Sequence, residues 1–144
     1  RRLVLPQSTG RAKELLITDT VGFIRELPET LVEAFRATLE ETLEADVLFL
    51  VVDLSDPDWR TQLATTHKLL DSFQTKAMRK VLANQIDQCD SKAFDAIQKF
   101  DQNVMYISAT SGSGLQSLRN WLESYFWNKS TKSSQGFTAI KTYE

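Results

Sequence analysis

Six residues, Val47-Leu48-Phe49-Leu50-Val51-Val52, closed by Asp53, decide how this chain folds. No polar position interrupts them, and Val and Leu dominate, which is the pattern of a strand buried on both faces of a parallel sheet. The next residues agree. Asp56-Pro57 supplies a cap and a first-turn proline, after which Trp59, Leu63, Thr66, His67, Leu70 and Phe73 recur at helical spacing. Residues 77–83 read as another strand. Residues 91–100 read as a helix with Ala93, Phe94, Ile97 and Phe100 inward, and 104–107 as a further core strand. Ser113-Gly114-Leu115-Gln116 has the form of a capping box, opening a helix with Leu115, Leu118, Leu122 and Tyr125 on one face.

Toward the N-terminus, residues 2–5 and 14–19 are apolar-rich segments on either side of Pro6-Gln7-Ser8-Thr9-Gly10-Arg11, a hairpin signal. From Pro28 the period changes, with Leu31, Phe35, Thr38, Leu39 and Thr42 on one helical face. Beyond Asn128 the apolar pattern dissolves. Residues 129–136 read as a Ser/Thr/Lys-rich linker, and 137–144 as the first strand of a following segment or a disordered tail. Strands alternating with helices predict an α/β fold: a mostly parallel sheet with helices on both faces.

Composition narrows the functional classes. The 144 residues are 42% hydrophobic and 25% charged, an ordinary globular balance. Seventeen basic against 19 acidic side chains leave a formal charge of −2, so no generic electrostatic attraction to nucleic acid or anionic lipid is expected. No apolar run approaches the roughly 20 residues that span a bilayer. A single cysteine, Cys89, excludes an internal disulfide. Together these read as a cytoplasmic domain with no DNA partner and no membrane span. The first residue is not Met and the pattern opens abruptly at Arg1, as in a piece of a longer protein.

In a parallel sheet, ligands bind beyond the carboxyl ends of the strands. Those ends read Asp19-Thr20-Val21-Gly22, Asn84-Gln85-Ile86-Asp87 and Ser108-Ala109-Thr110. Each is weak alone. In this order, with 65 residues from Asp19 to Asn84 and 24 from Asn84 to Ser108, they form a strong joint signal.

The order DxxG, NxxD, SA(x) resembles the nucleotide-contacting loops of the P-loop GTPases. The run DTVGFIRELPETLVEAFRATLEETLEADVLFLVVDLSDP, from Asp19, is similar to the HflX branch, the ribosome-associated GTPases of the Obg-HflX group. The resemblance covers about residues 1–126. It implies that residues 1–128 are the C-terminal part of a GTPase domain that hydrolyses GTP to GDP as a conformational switch, with the large ribosomal subunit as partner. By the same resemblance Asp19 would hold a water on the nucleotide's Mg2+, and the amide of Gly22 would meet the γ-phosphate. Asn84 and Asp87 would read guanine, with Gln85 and Ile86 between them, and Ser108, Ala109 and Thr110 would close over the base.

Physical chemistry supports these residue types independently. A carboxylate such as Asp87 accepts two parallel hydrogen bonds from the N1 and N2 donors of guanine, whereas adenine would leave it unpaired. Gly22 suits a point where backbone approaches a phosphate and then swings, and residues 23–29 would be the moving segment.

Three departures stand out. Phe23 occupies the position where many relatives carry a water-orienting glutamine, which a phenyl ring cannot replace. Gln85 stands where the pattern usually has a lysine, keeping part of the stem that covers the base and losing the charge; weaker affinity with unaltered base choice is expected. No GxxxxGK[ST] loop occurs among the five glycines. The resemblance puts that loop upstream of Arg1, on a strand belonging between those ending at Asp19 and Asp53. Without it those strands would face a gap or pair directly, and the chain alone would not bind GTP usefully.

The rival reading is a nucleotide-independent scaffold with a decayed site; an adenine-nucleotide or sugar-phosphate enzyme is disfavoured by Asn84 and Asp87. His67 reads as an ordinary helix residue, Glu40 and Glu41 as a solvated face, and Trp59, Trp121 and Trp127 as core and rim aromatics. Cys89 reads as buried filler or a loop thiol, and Asn128-Lys129-Ser130 as a chance glycosylation match.

Overall fold

The structure, a computed structural model, describes residues 2–6, 12–19, 45–128 and 137–141. The strands are β1 (Arg2–Pro6), β2 (Ala12–Asp19), β3 (Val47–Asp53), β4 (Met78–Asn84), β5 (Met105–Tyr106) and β6 (Phe137–Lys141). Between them lie α1 (Trp59–Ser72), a 3-10 turn (Ile86–Gln88), α2 (Ser91–Phe100) and α3 (Leu115–Asn128). The six strands form one sheet in the order β1-β2-β6-β3-β4-β5. Only β1 runs against its neighbour; every other pairing is parallel.

The decisive run behaves as a strand wet on neither face should. Alternate residues of β3 enter opposite cores. Leu48, Leu50 and Val52 join Val81 and Ala83 of β4 under Trp59, Leu63 and Leu70 of α1 and Ile97 of α2. Val47 and Phe49 join Leu82 under Leu122 and Phe126 of α3. Helices therefore cover both faces, and each apolar side chain so buried contributes roughly 1.5–3 kcal/mol. Aromatic rings extend the second core to its rim: Trp121 lies 5.8 Å from Phe49 and stacks on Tyr125 at 5.1 Å, with the Lys80 ammonium 5.6 Å above its ring.

Several helix ends differ from expectation. Asp56 does not cap α1: the residue before the helix is Asp58, whose side chain makes no cap bond. Asp56 instead closes an Asx turn, accepting from Asp58 N at 2.8 Å and from Gln62 Nε2 at 2.7 Å, and the helix begins at Trp59, beyond that turn. Asp90 does cap α2, accepting from Ala93 N at 3.0 Å. The Ser113–Gln116 box does not form. Helix α3 starts at Leu115, Leu118 N donates to Gly114 O, Ser113 Oγ accepts from Ser111 Oγ, and Gln116 reaches Asn120. Phe100 and Leu115, expected inward, are 44% and 40% exposed, Phe100 as the last residue of α2 and Leu115 as the first of α3. Phe126, near the opposite end of α3 and not among the residues expected inward, is buried at 8%.

The position between β2 and β3 is neither a gap nor a direct pairing. Strand β6 fills it, with Ile17↔Phe137, Thr18↔Thr138 and Asp19↔Ala139 on one side and Leu48↔Thr138 through Val51↔Lys141 on the other. The helix expected over 28–42 lies outside the described residues. Among the described residues, no helix is long and apolar enough to cross a membrane.

Candidate functional site

Five parallel strands point their carboxyl ends the same way, and of the expected site residues Asp19 ends β2, Asn84 ends β4 and Ser108 follows β5. Asn84 ends β4 level with Asp53, the last residue of β3. Its side chain links two loops: Asn84 Oδ1 accepts from Ala109 N at 3.0 Å. The loop after β5 is thereby bound to the end of β4, and Ile107 N donating to Ala83 O at 2.8 Å reinforces the tie.

The loop beyond Ile107 is built from inside. Ser108 is fully buried; its hydroxyl accepts from Ser111 N at 3.0 Å, its amide donates to Ser113 O, and its carbonyl accepts from Gly112 N. A β-carbon on Gly114, at φ +76, would fall 1.9 Å from the carbonyl oxygen of Tyr106, so only glycine permits this close return. Ala109 and Thr110 are left outward and exposed, while Ser108 faces the interior as the loop's internal fastener.

In Asn84-Gln85-Ile86-Asp87, each residue has a distinct setting. Gln85 is in the left-handed region at φ 62, which costs a side chain with a β-carbon roughly 1–2 kcal/mol. It is held from several sides. Gln88 N donates to its carbonyl at 2.9 Å, the Cys89 thiol donates to the same oxygen at 3.3 Å, and Ser55 Oγ reaches its Oε1 at 3.3 Å. Ile86 anchors the turn by packing partly buried against the α1–α2 core, and its N–H donates to Ile107 O. Asp87, on the 3-10 turn, is exposed. Burial, followed by the carboxylates of Asp53, Asp90 and Asp87, pushes the Cys89 thiol up, so it remains a protonated donor and not a nucleophile.

Asp19 lies further off. Its row runs through Ala139 and Phe49 to Lys80, four residues before Asn84 along β4. At about 3.3 Å per residue the offset is about 13 Å along the strands. Thr20, Val21 and Gly22, which continue from Asp19, lie outside the described residues. Among the described residues, no three His, Cys, Asp or Glu side chains gather as metal ligands would.

The sequence reading passed over one strand end. Asp53-Leu54-Ser55, after β3, is drawn into the same rim. Leu54 N donates to Asn84 O at 3.1 Å, and Asp53 Oδ1 accepts from both the amide and the hydroxyl of Ser55, at 2.8 and 2.6 Å. The signal was present, since an Asp two residues before a Ser at a strand end is a recurrent local hydrogen-bonding pair.

No family model matches the chain. It is similar to several curated proteins named GTPase HflX. The one from Caldanaerobacter subterraneus is 37% identical over 145 residues, covering all of this chain and 32% of the relative. Those from Gluconacetobacter diazotrophicus and Magnetococcus marinus are 36% and 39% identical over 87% and 72% of this chain, covering 27% and 24% of their own length. The chain thus spans 24–32% of the length of these relatives. With the parallel sheet and the ordered strand-end loops, this similarity identifies the chain as a member of the HflX branch of the GTPases.

Proposed function

We propose that this chain supplies the base-recognising side of a guanine-nucleotide site, in a protein that hydrolyses GTP to GDP and uses the two states as a switch. The bond from Ala109 N to Asn84 Oδ1 carries the reading, because it joins the two loops that would hold a base into one preformed edge. Exposed Asp87 stands beside that edge with a carboxylate suited to guanine's paired donors. The backbone of Ala109 and Thr110 would close over the base, with Ser108 holding the loop from beneath, and the side chain of Gln85 would lie along the ring.

For Mg2+, the donor chemistry fits an ion that keeps several waters and binds through one carboxylate plus phosphate oxygens, since Asp19 offers a carboxylate at the end of β2. When bound, the ion would neutralise charge on the phosphates. Asp19 would orient a water on it, and Gly22 would approach the γ-phosphate. The resemblance of the 19–57 run to ribosome-associated GTPases supports a large-subunit partner and a cytoplasmic setting.

The chain carries no GxxxxGK[ST] loop, so by itself it would hold the base side without the phosphate cradle. Calorimetry with GDP, GTP and ATP tests this. Binding weaker than millimolar by the 144-residue chain, with micromolar guanine-selective binding by the full-length protein, is expected. ATP binding as tight as GTP would overturn guanine recognition. In the full-length protein, Gln85→Lys should raise GDP affinity without changing the preference for guanine. A second reading, a scaffold that has lost its nucleotide, is favoured by Gln85 in place of lysine; absence of GDP binding by the full-length protein would establish it.

A further inference from the structure

We infer that Ser55, on the loop between β3 and α1, is a positioning residue that sets the side chain of Gln85, and through it the grip on a nucleotide base. The inference rests on the guanine-site reading above. Ser55 sits 30 residues from Gln85 in sequence, yet its hydroxyl is shared between two acceptors: Asp53 Oδ1 at 2.6 Å and Gln85 Oε1 at 3.3 Å. The short bond to the carboxylate is the strong one, and the longer limb to a neutral amide is the one that can yield. Ser55 cannot drift, because its own amide is also held by Asp53 and the preceding residue is tied to the Asn84 carbonyl. The β3–α1 loop is therefore a fixed post.

The other end of the contact needs such a post. Gln85 has a left-handed backbone, stabilised by donors to its carbonyl from Gln88 and Cys89. Those bonds fix the main chain and leave three side-chain torsions undetermined. Ser55 is the contact that selects among them. An uncharged glutamine has no long-range attraction to phosphate to align it, so a directional hydrogen bond must do so. A base arriving at the rim would then meet a pre-set amide, with less side-chain entropy to lose on binding.

Two measurements test this. In the 144-residue chain, the Gln85 side-chain amide is followed by NMR in wild type, Ser55→Ala and Ser55→Thr. Ser55→Ala should merge its shifts with those of mobile glutamines, and Ser55→Thr, which keeps the hydroxyl, should restore them. In the full-length protein, Ser55→Ala should weaken GDP and inosine diphosphate about three- to tenfold and equally, because Gln85 covers the ring and not the 2-amino edge. The same change on a Gln85→Ala background should have no effect. An amide unmoved by Ser55→Ala overturns the contact, whatever nucleotides do. A moved amide with unchanged GDP affinity overturns the positioning role. If the wild-type full-length protein binds no GDP, the guanine-site reading fails and takes the role with it, while the amide shifts still report whether the Ser55–Gln85 contact exists.

Discussion

The Asn84 end of the sheet and the Asp19 end are held by different means. At Asn84, three loops from neighbouring stretches of chain are laced by side-chain and main-chain bonds: Ala109 to Asn84, Leu54 to Asn84, Ser55 to Asp53 and Gln85. At Asp19, β2 meets the rest of the sheet through β6, a strand drawn from the other end of the sequence. A short loop network costs little entropy to close, whereas β6 must be brought across the molecule before any pairing rewards it. One end is thus closed by bonds 25 and 30 residues apart in sequence, and the other depends on a strand from the far end of the chain.

Breaking each end separately sharpens the contrast. The largest effect is expected at the Asn84 end from Gly114→Ala, whose β-carbon collides with Tyr106 backbone at a left-handed φ; urea denaturation should show a loss of about 3 kcal/mol or more. Gly112→Ala, also left-handed but facing open space, should cost about 1 kcal/mol in the same assay. At the other end, Ala139→Pro removes an N–H from a strand paired on both sides, and a loss of about 2–3 kcal/mol is expected. Hydrogen exchange should then rise along β2 while β4 and β5 stay protected. Exchange rising equally across the sheet would abolish the distinction between the two ends. Asn84→Ala should cost about 1–2 kcal/mol and release the 108–114 loop without disturbing β2.

The smallest effect concerns neither end and serves as a baseline. Burial, then Arg79, lowers the pKa of His67, against the raising influence of Asp71 and Asp101. Its folded pKa thus lies below the unfolded value, so the folded state resists protonation. The favourable contribution is present above about pH 6.5 and declines as pH falls toward the lower folded pKa. Wild type should lose more stability than His67→Gln between pH 7.5 and 5; equal losses would remove His67 as the cause.

Much of this was legible beforehand for identifiable reasons. The six apolar residues of β3 read correctly because a strand covered on both faces admits no polar position, and the hairpin of β1 and β2 because its polar Pro/Gly turn stands between two apolar runs. The reading of α1 erred at its first turn, where the Asp56 carboxylate turns to the Asp58 amide and the Gln62 side chain instead of capping, and Asp58 precedes the helix without a cap bond. Ser55 was missed because the bond that gives it meaning spans 30 residues.

From residue pattern alone came the alternation of buried strands and amphipathic helices, the order of the strand-end loops and the similarity to HflX proteins, all of which are encoded in short-range spacing and residue type. Only the tertiary structure decided that residues 137–141 enter the sheet between β2 and β3, that Ser108 faces inward while Ala109 faces out, and that Ser55 meets Gln85. These depend on which main-chain edges find partners and which polar atoms meet across the rim. Such pairings are selected by the free energy of the whole chain, and no local window of sequence contains them.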